Sequence, residues 1–310
     1  MSNICFLFPG QGSQKVGMGA DFVKICCEAK NVFETASNIL GFNLLDICLN
    51  KNQVELNKTI YCQPAIVATS IAAFLCLKQK GITPDVVTGH SLGQYSALFA
   101  AGVLSLQDTF KIIKIRAEIM MQNSELNEGR MCAIIGAKKE DIEKACNNAK
   151  EYVTCANFNS PTQTVISGTI NGVHEVISKL KNIAKRCVML NVKCAFHSKL
   201  MQNCANLFEE KIKNINFKTP KIKIFSNITA NIITEKYDIR NMLIKHITAP
   251  VLFMQSILNM EKFNIKTFIE LGEGKVLTQL VKKTINSATT LNVNNEDSLI
   301  NTTNFLNKNI

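Results

Sequence analysis

Between Gly129 and Val192 the hydrophobic pattern of this chain admits few element orders, and that stretch constrains the fold more than any other. Met131 to Ile135 reads as a short apolar strand and Lys139 to Lys150 carries helical spacing. Tyr152 to Asn157 and Gln163 to Ser167 are strands around Asn159-Ser160-Pro161; Asn171 to Lys185 is helical, and Cys187 to Val192 is again a strand. The order βαββαβ predicts a ferredoxin-like unit, inserted as one continuous block of about the smallest size a domain can have.

On both sides of that block, strand and helix alternate. Ile4 to Phe8 runs into Pro9-Gly10-Gln11-Gly12-Ser13 and a helix near Ala20; a helix from about Gln63 to Lys80 is followed by the strand Asp85 to Thr88. Ser105 to Met121 is helical, with an N-cap residue and Asp108 in its first turn. Strands at Lys221 to Phe225, Thr267 to Glu270 and Thr290 to Val293 alternate with helices, and the Asn-rich tail from Asn292 reads as irregular or weakly helical. The fold class is therefore α/β: a hydrolase-like large domain with a mostly parallel sheet, residues 1–126 and 197–310, split by a ferredoxin-like small domain, residues 127–196.

Composition narrows the function classes. With 46% hydrophobic and 19% charged residues over 310 positions, the chain can bury a sizeable core. The longest apolar run, Pro64 to Leu77, contains Thr69 and Ser70 and stops at Lys78, which reads as too short and too polar for membrane insertion. Asn3 to Phe8 is already a strand, so no secretory segment is expected. Twelve cysteines without a C-x-x-C pair read as reduced core residues in a cytoplasmic protein, with neither a metal site nor a disulfide framework. The net charge of +11 favours an anionic partner, but scattered basic residues without a nucleic-acid-binding signature argue against nucleic acid.

Gly89-His90-Ser91-Leu92-Gly93 is G-x-S-x-G between a predicted strand and a predicted helix, the setting of a nucleophile elbow. A serine needs a base, and the histidines are His90, His174, His197 and His246. His90 reads as a packed support at the elbow, His174 as a surface residue and His246 as a helix-terminal one. His197 lies where the chain re-enters the large domain, which suits a cleft between the two. It follows Ser91 by 106 residues with no Asp on an intervening strand-end loop, so a hydrolase triad fits poorly. Arg116 falls on the apolar side of its helix; a buried guanidinium needs an anion, supplied either by a protein carboxylate or by a substrate. Gly10-Gln11-Gly12-Ser13 lacks the third glycine of a dinucleotide loop and the G-K-[ST] of a P-loop.

Together, Phe8-Pro9-Gly10-Gln11-Gly12-Ser13-Gln14, Gln63-Pro64-Ala65, Gly89-His90-Ser91-Leu92-Gly93, Arg116, Asn157-Phe158-Asn159-Ser160-Pro161, Phe196-His197-Ser198 and Gly272-Glu273-Gly274-Lys275-Val276-Leu277 closely resemble the malonyl-CoA:acyl carrier protein transacylase family, in order from Asn3 to about Lys283. The resemblance implies an acyltransferase of fatty acid synthesis with Ser91 as nucleophile, His197 as base and Arg116 as the carboxylate-binding residue. It also implies backbone N–H groups of Gln11 and Leu92 as oxyanion hole, Gln63 and Phe196 in the substrate pocket, and Leu252 orienting His197 through its main-chain oxygen. Malonyl-CoA and acyl carrier protein are the implied partners, with no metal or redox cofactor. Three departures stand out: Gln94 where the family usually has Glu, Ala249-Pro250-Val251-Leu252 for Asn-Pro-Val-Gln, and Gly272-Glu273-Gly274-Lys275 for Gly-Pro-Gly-Lys. The rival readings are a serine esterase or thioesterase, which would resolve the acyl-enzyme with water, and a carrier-docking protein with a relic site.

Overall fold

The computed structural model describes residues 3–126, 128–233 and 236–309; the expected domain limits at residues 1, 127 and 310 lie outside them. Among the described residues ten strands form two sheets: β1 Asn3–Phe8, β2 Val86–Gly89, β3 Arg130–Ile135, β4 Val153–Ser160, β5 Gln163–Gly168, β6 Arg186–Met189, β7 Lys223–Phe225, β8 Ile232–Ile233, β9 Ile265–Leu271 and β10 Thr289–Val293. The first sheet has the order β10-β9-β1-β2-β7-β8, parallel except where β8 pairs antiparallel with β7. The second, order β4-β5-β3-β6, is antiparallel throughout. With helices Lys139–Asn147 and Ile170–Lys179 as its crossovers, this is the ferredoxin-like arrangement.

The sheet faces follow from burial. Phe6 and Phe8 of β1 point into one core with the helix Thr59–Gln79, and Cys5 and Leu7 point into the other with Phe253 and Leu277. Strands buried on both faces read as continuous apolar runs, which is why β1 and β2 were legible. The helix Thr59–Gln79 begins four residues before its expected start and spans 21 residues. By length and apolar content it could cross a membrane, contrary to the reading of Pro64 to Leu77; it is instead buried through most of its length at the centre of the larger core. The tail is also more ordered than expected: Glu296–Asn309 is a helix that buries Leu299, Thr302 and Leu306 on one face.

Parallel pairing of β1 with β2, Phe8 opposite Gly89, sends the loops after both strands out at the same edge of the sheet. Carboxyl ends of parallel strands are where an open α/β sheet presents its chemistry. The small sheet docks there through β4: Val251 N–H donates to Ala156 O at 2.8 Å and Phe158 N–H to Val251 O at 2.9 Å.

Candidate active site

The turn after β2 explains both glycines of the elbow. A Cβ on Gly89 would sit 1.9 Å from the carbonyl carbon of Gly93, and one on Gly93 would sit 1.9 Å from Phe8 O, so any side chain at either position would push strand and helix apart. Ser91 between them has φ 52°, in the left-handed region that costs a non-glycine residue about 1–3 kcal/mol. That backbone is held from across the sheet edge. Ser91 N–H donates to Asn227 Oδ1 at 2.8 Å, and Asn227 Nδ2 donates to Gly89 O at 2.6 Å.

His197 arrives in the loop that follows the small sheet, also left-handed at φ 58°. Its Nε2 lies 2.7 Å from Ser91 Oγ, while Nδ1 lies 2.9 Å from His246 O and 3.2 Å from Ala249 O. Carbonyl oxygens only accept, so Nδ1 carries the hydrogen of the neutral ring and Nε2 presents a lone pair to the Ser91 hydroxyl. The orienting carbonyls thus belong to His246 and Ala249, not to Leu252 as expected. Leu252 O is used inside the helix Phe253–Lys262 it caps, accepting from Ser256, and Leu252 N–H donates to Asn227 O at 2.7 Å.

Burial, followed by the nearby charge of Arg116, pushes His197 down to about 3; among the described residues no carboxylate pairs with the protonated ring. A base with this environment is neutral and competent across the ordinary pH range. Transfer, with chemistry rate-limiting, should stay flat from about pH 8 to pH 5, because an unperturbed imidazole would titrate near ~6.5 and this one does not. Stability should respond instead. Below ~6.5 the unfolded chain takes up a proton that folded His197 refuses, so its contribution is complete above ~6.5 and drains away as pH falls toward about 3. Buried His90 and His246 are lowered too and act in the same direction. Thermal midpoints declining from pH 6.5 downward, with flat kinetics on the folded protein, are the expected pair of results; a kinetic limb near 6.5 in folded protein would contradict the buried environment.

Arg116, on the helix Leu106–Leu126, is 5% exposed and reaches a cavity of about 530 Å³ that Ser91, His197, Gln11, Leu92 and Phe196 also line. Its Nη1 donates to Gln63 Oε1 at 2.5 Å and its guanidinium lies 5.7 Å from the Tyr95 ring centroid. Among the described residues it forms no ion pair with a carboxylate, which removes the salt-bridge alternative. Gln63, expected in the substrate pocket, is fully buried and does not line it; its amide aims the guanidinium instead. Phe196 is half-buried, lines the cavity and also packs against the core clusters of both sheets, so its pocket and packing roles coexist.

Among the described residues, neither Gln11 N–H nor Leu92 N–H is given to a protein acceptor, and both residues border the cavity beside Ser91 Oγ. Two free backbone donors, Leu92 at the start of the helix Gly93–Ala100 and Gln11 in the loop after β1, suit a developing oxyanion. Gln94, the departure after the elbow, is fully buried and donates through Nε2 to Phe225 O at 3.3 Å, a bond that a carboxylate could not make. His90 is the expected support, with Nε2 2.8 Å from Asn159 Oδ1, and His174 is exposed. His246 is more than a helix-terminal residue, since its carbonyl meets the base. Asn227 went unnoticed in the sequence, although its place just after a predicted strand on the elbow side of the sheet was a usable signal.

The chain matches the acyl transferase domain family over residues 5–301. It is 40% identical over 304 residues to a malonyl CoA-acyl carrier protein transacylase of Bacillus subtilis (strain 168), covering 96% of each chain. It is 34% identical over 303 residues to the same-named protein of Escherichia coli (strain K12), covering 96% of this chain and 98% of that one. Among solved structures, an acyl carrier protein S-malonyltransferase from Vibrio cholerae superposes with TM-score 0.93 at 35% identity, over 97% of this chain and all of that one. A malonyl-transacylase in complex with a type II PKS acyl-carrier protein superposes with TM-score 0.94 at 32% identity, over 98% of this chain and 100% of that one.

Proposed function

Because this chain belongs to the acyl transferase domain family, we propose that it moves a malonyl group from malonyl-CoA to the phosphopantetheine thiol of acyl carrier protein through a malonyl-Ser91 ester, supplying fatty acid synthesis. The observation that carries the substrate assignment is Arg116: a buried cation in the reaction cavity with no protein carboxylate among the described residues. Its rigid fork takes the free malonyl carboxylate bidentately. That anion also offsets the positive charge that depresses His197, so the matching substrate makes the base stronger when it binds.

The reaction is a double displacement. Ser91 Oγ gives its proton to His197 Nε2 and bonds to the thioester carbon, while the N–H groups of Gln11 and Leu92 hold the oxyanion. The C–S bond breaks and coenzyme A leaves with the proton from His197. The carrier thiol then gives its proton to His197 and its sulfur attacks the Ser91 ester; collapse returns the proton to Ser91 Oγ. Serine and histidine supply all the chemistry in this scheme, with no metal or redox cofactor. The net charge of +11 steers both coenzyme A phosphates and an acidic carrier protein. Twelve free thiols suit a reducing compartment, and we place the reaction in the cytoplasm. Incubation with malonyl-CoA and phosphopantetheinylated carrier protein tests this function: malonyl should appear on the carrier, and free malonate alone would identify a thioesterase.

Phe196, at the cavity wall, narrows the space beside the malonyl α-carbon. Phe196→Ser should raise the kcat/KM ratio of methylmalonyl-CoA to malonyl-CoA, by about tenfold for a pocket enlarged by a few methylene equivalents. An unchanged ratio with a lowered melting temperature would leave this side chain with packing alone.

A further inference from the structure

Asn227 is fully buried and is hydrogen-bonded to Ser91 and to Leu252, in the segment that seats His197. Its side chain spans the elbow, accepting from Ser91 N–H at 2.8 Å and donating to Gly89 O at 2.6 Å. Its main-chain oxygen accepts from Leu252 N–H at 2.7 Å. Leu252 ends the segment 249–252, which begins at Ala249, one of the two carbonyls that hold His197 Nδ1. Apart from His197 itself, no other described residue is hydrogen-bonded both to Ser91 and to the segment 249–252.

We propose that Asn227 is a positioning residue that sets the 2.7 Å approach of Ser91 Oγ to His197 Nε2. The two ends of its amide answer an acceptor and a donor that the strained elbow leaves exposed to each other. An amide satisfies both, whereas a methyl satisfies neither and an ionised carboxylate only one. The left-handed Ser91 backbone persists only while its surroundings over-determine it, and Asn227 is the contact that reaches Ser91 N–H. This inference rests on the transferase reading, since it concerns the rate at which Ser91 is acylated.

The test is single-turnover acylation by malonyl-CoA, followed by rapid-quench mass spectrometry, on parent, Asn227→Ala and Asn227→Asp proteins. Parent acylation establishes the malonyl-Ser91 step that the transferase reading requires; a parent that forms no adduct defeats that reading, whatever the variants do. Given an active parent, Asn227→Ala should acylate about 100-fold more slowly, the scale of a misplacement of about 1 Å, with half-saturation by malonyl-CoA unchanged. A loss below threefold, or one confined to half-saturation, overturns the proposal. Asn227→Asp covers the case in which the alanine variant does not fold. Its carboxyl can accept from Ser91 N–H when ionised but can donate to Gly89 O only when protonated. Burial raises such a carboxyl above the ordinary ~3.9 of Asp, so the variant's acylation should rise on acidification from about pH 8 to pH 5 while the parent stays flat, a response that lost packing would not give. A variant that tracks the parent throughout that range overturns the proposal.

Discussion

Ser91→Ala is expected to abolish acyl-enzyme formation and to reduce malonyl transfer by roughly a million-fold, the loss seen when the nucleophile of a serine–histidine pair is removed. The fold should survive. The substitution removes one hydroxyl whose partner is His197 Nε2, and the elbow's backbone contacts to Asn227 involve no Ser91 side-chain atom. Alanine must still adopt the left-handed φ of 52°, so a small drop in melting temperature accompanies the kinetic loss. Intact-mass spectra and melts of the same preparation check both parts. A malonyl adduct on the alanine protein would assign the nucleophile elsewhere.

Arg116→Ala should divide substrates by charge. Removing one partner of a buried ion pair costs about 3–5 kcal/mol, a factor on the order of a hundred to several thousand in kcat/KM for malonyl-CoA. Acetyl-CoA brings no carboxylate, and the parent must accommodate it with an unpaired buried cation, so transfer of neutral acyl groups should hold steady or improve in the variant. The side chain's neighbours support this division. Gln63 accepts from the guanidinium and Tyr95 lies against it, but no described carboxylate pairs with it. A uniform decline for malonyl and acetyl substrates, together with a large fall in melting temperature, would make Arg116 a structural residue.

What the sequence disclosed follows the range of each interaction. β1 and β2 were readable because central parallel strands are apolar on both faces, and the βαββαβ order was readable because each of its elements carries its own periodicity. Ser91 sits in a motif whose geometry is local, since the clashes that demand Gly89 and Gly93 lie within the turn and at the end of β1. Arg116 was visible as a charge on an apolar helix face. The contacts that fix His197 were less accessible, because main-chain carbonyls carry no side-chain signature. Family resemblance pointed to Leu252, whereas the orienting oxygens are those of His246 and Ala249. A sequence gives the imidazole but not its desolvation, and complete burial beside Arg116 decides where it titrates. Gln63 was placed in the right site and given the wrong contact, since a helix position alone does not separate a cavity wall from the layer behind it. The tail helix Glu296–Asn309 was underestimated because its apolar residues are few and its stability comes from docking.

The central claim is that malonyl passes through an ester on Ser91 that a thiol, not water, resolves. Brief exposure to malonyl-CoA, peptide mapping of the adduct, and then addition of phosphopantetheinylated acyl carrier protein tests it in one sequence of steps. The expected result is a single malonyl group on the peptide bearing Ser91, persisting in buffer and transferred to the carrier when the carrier is added. No adduct, an adduct on another residue, or an adduct released as malonate at the same rate with and without carrier would contradict the account.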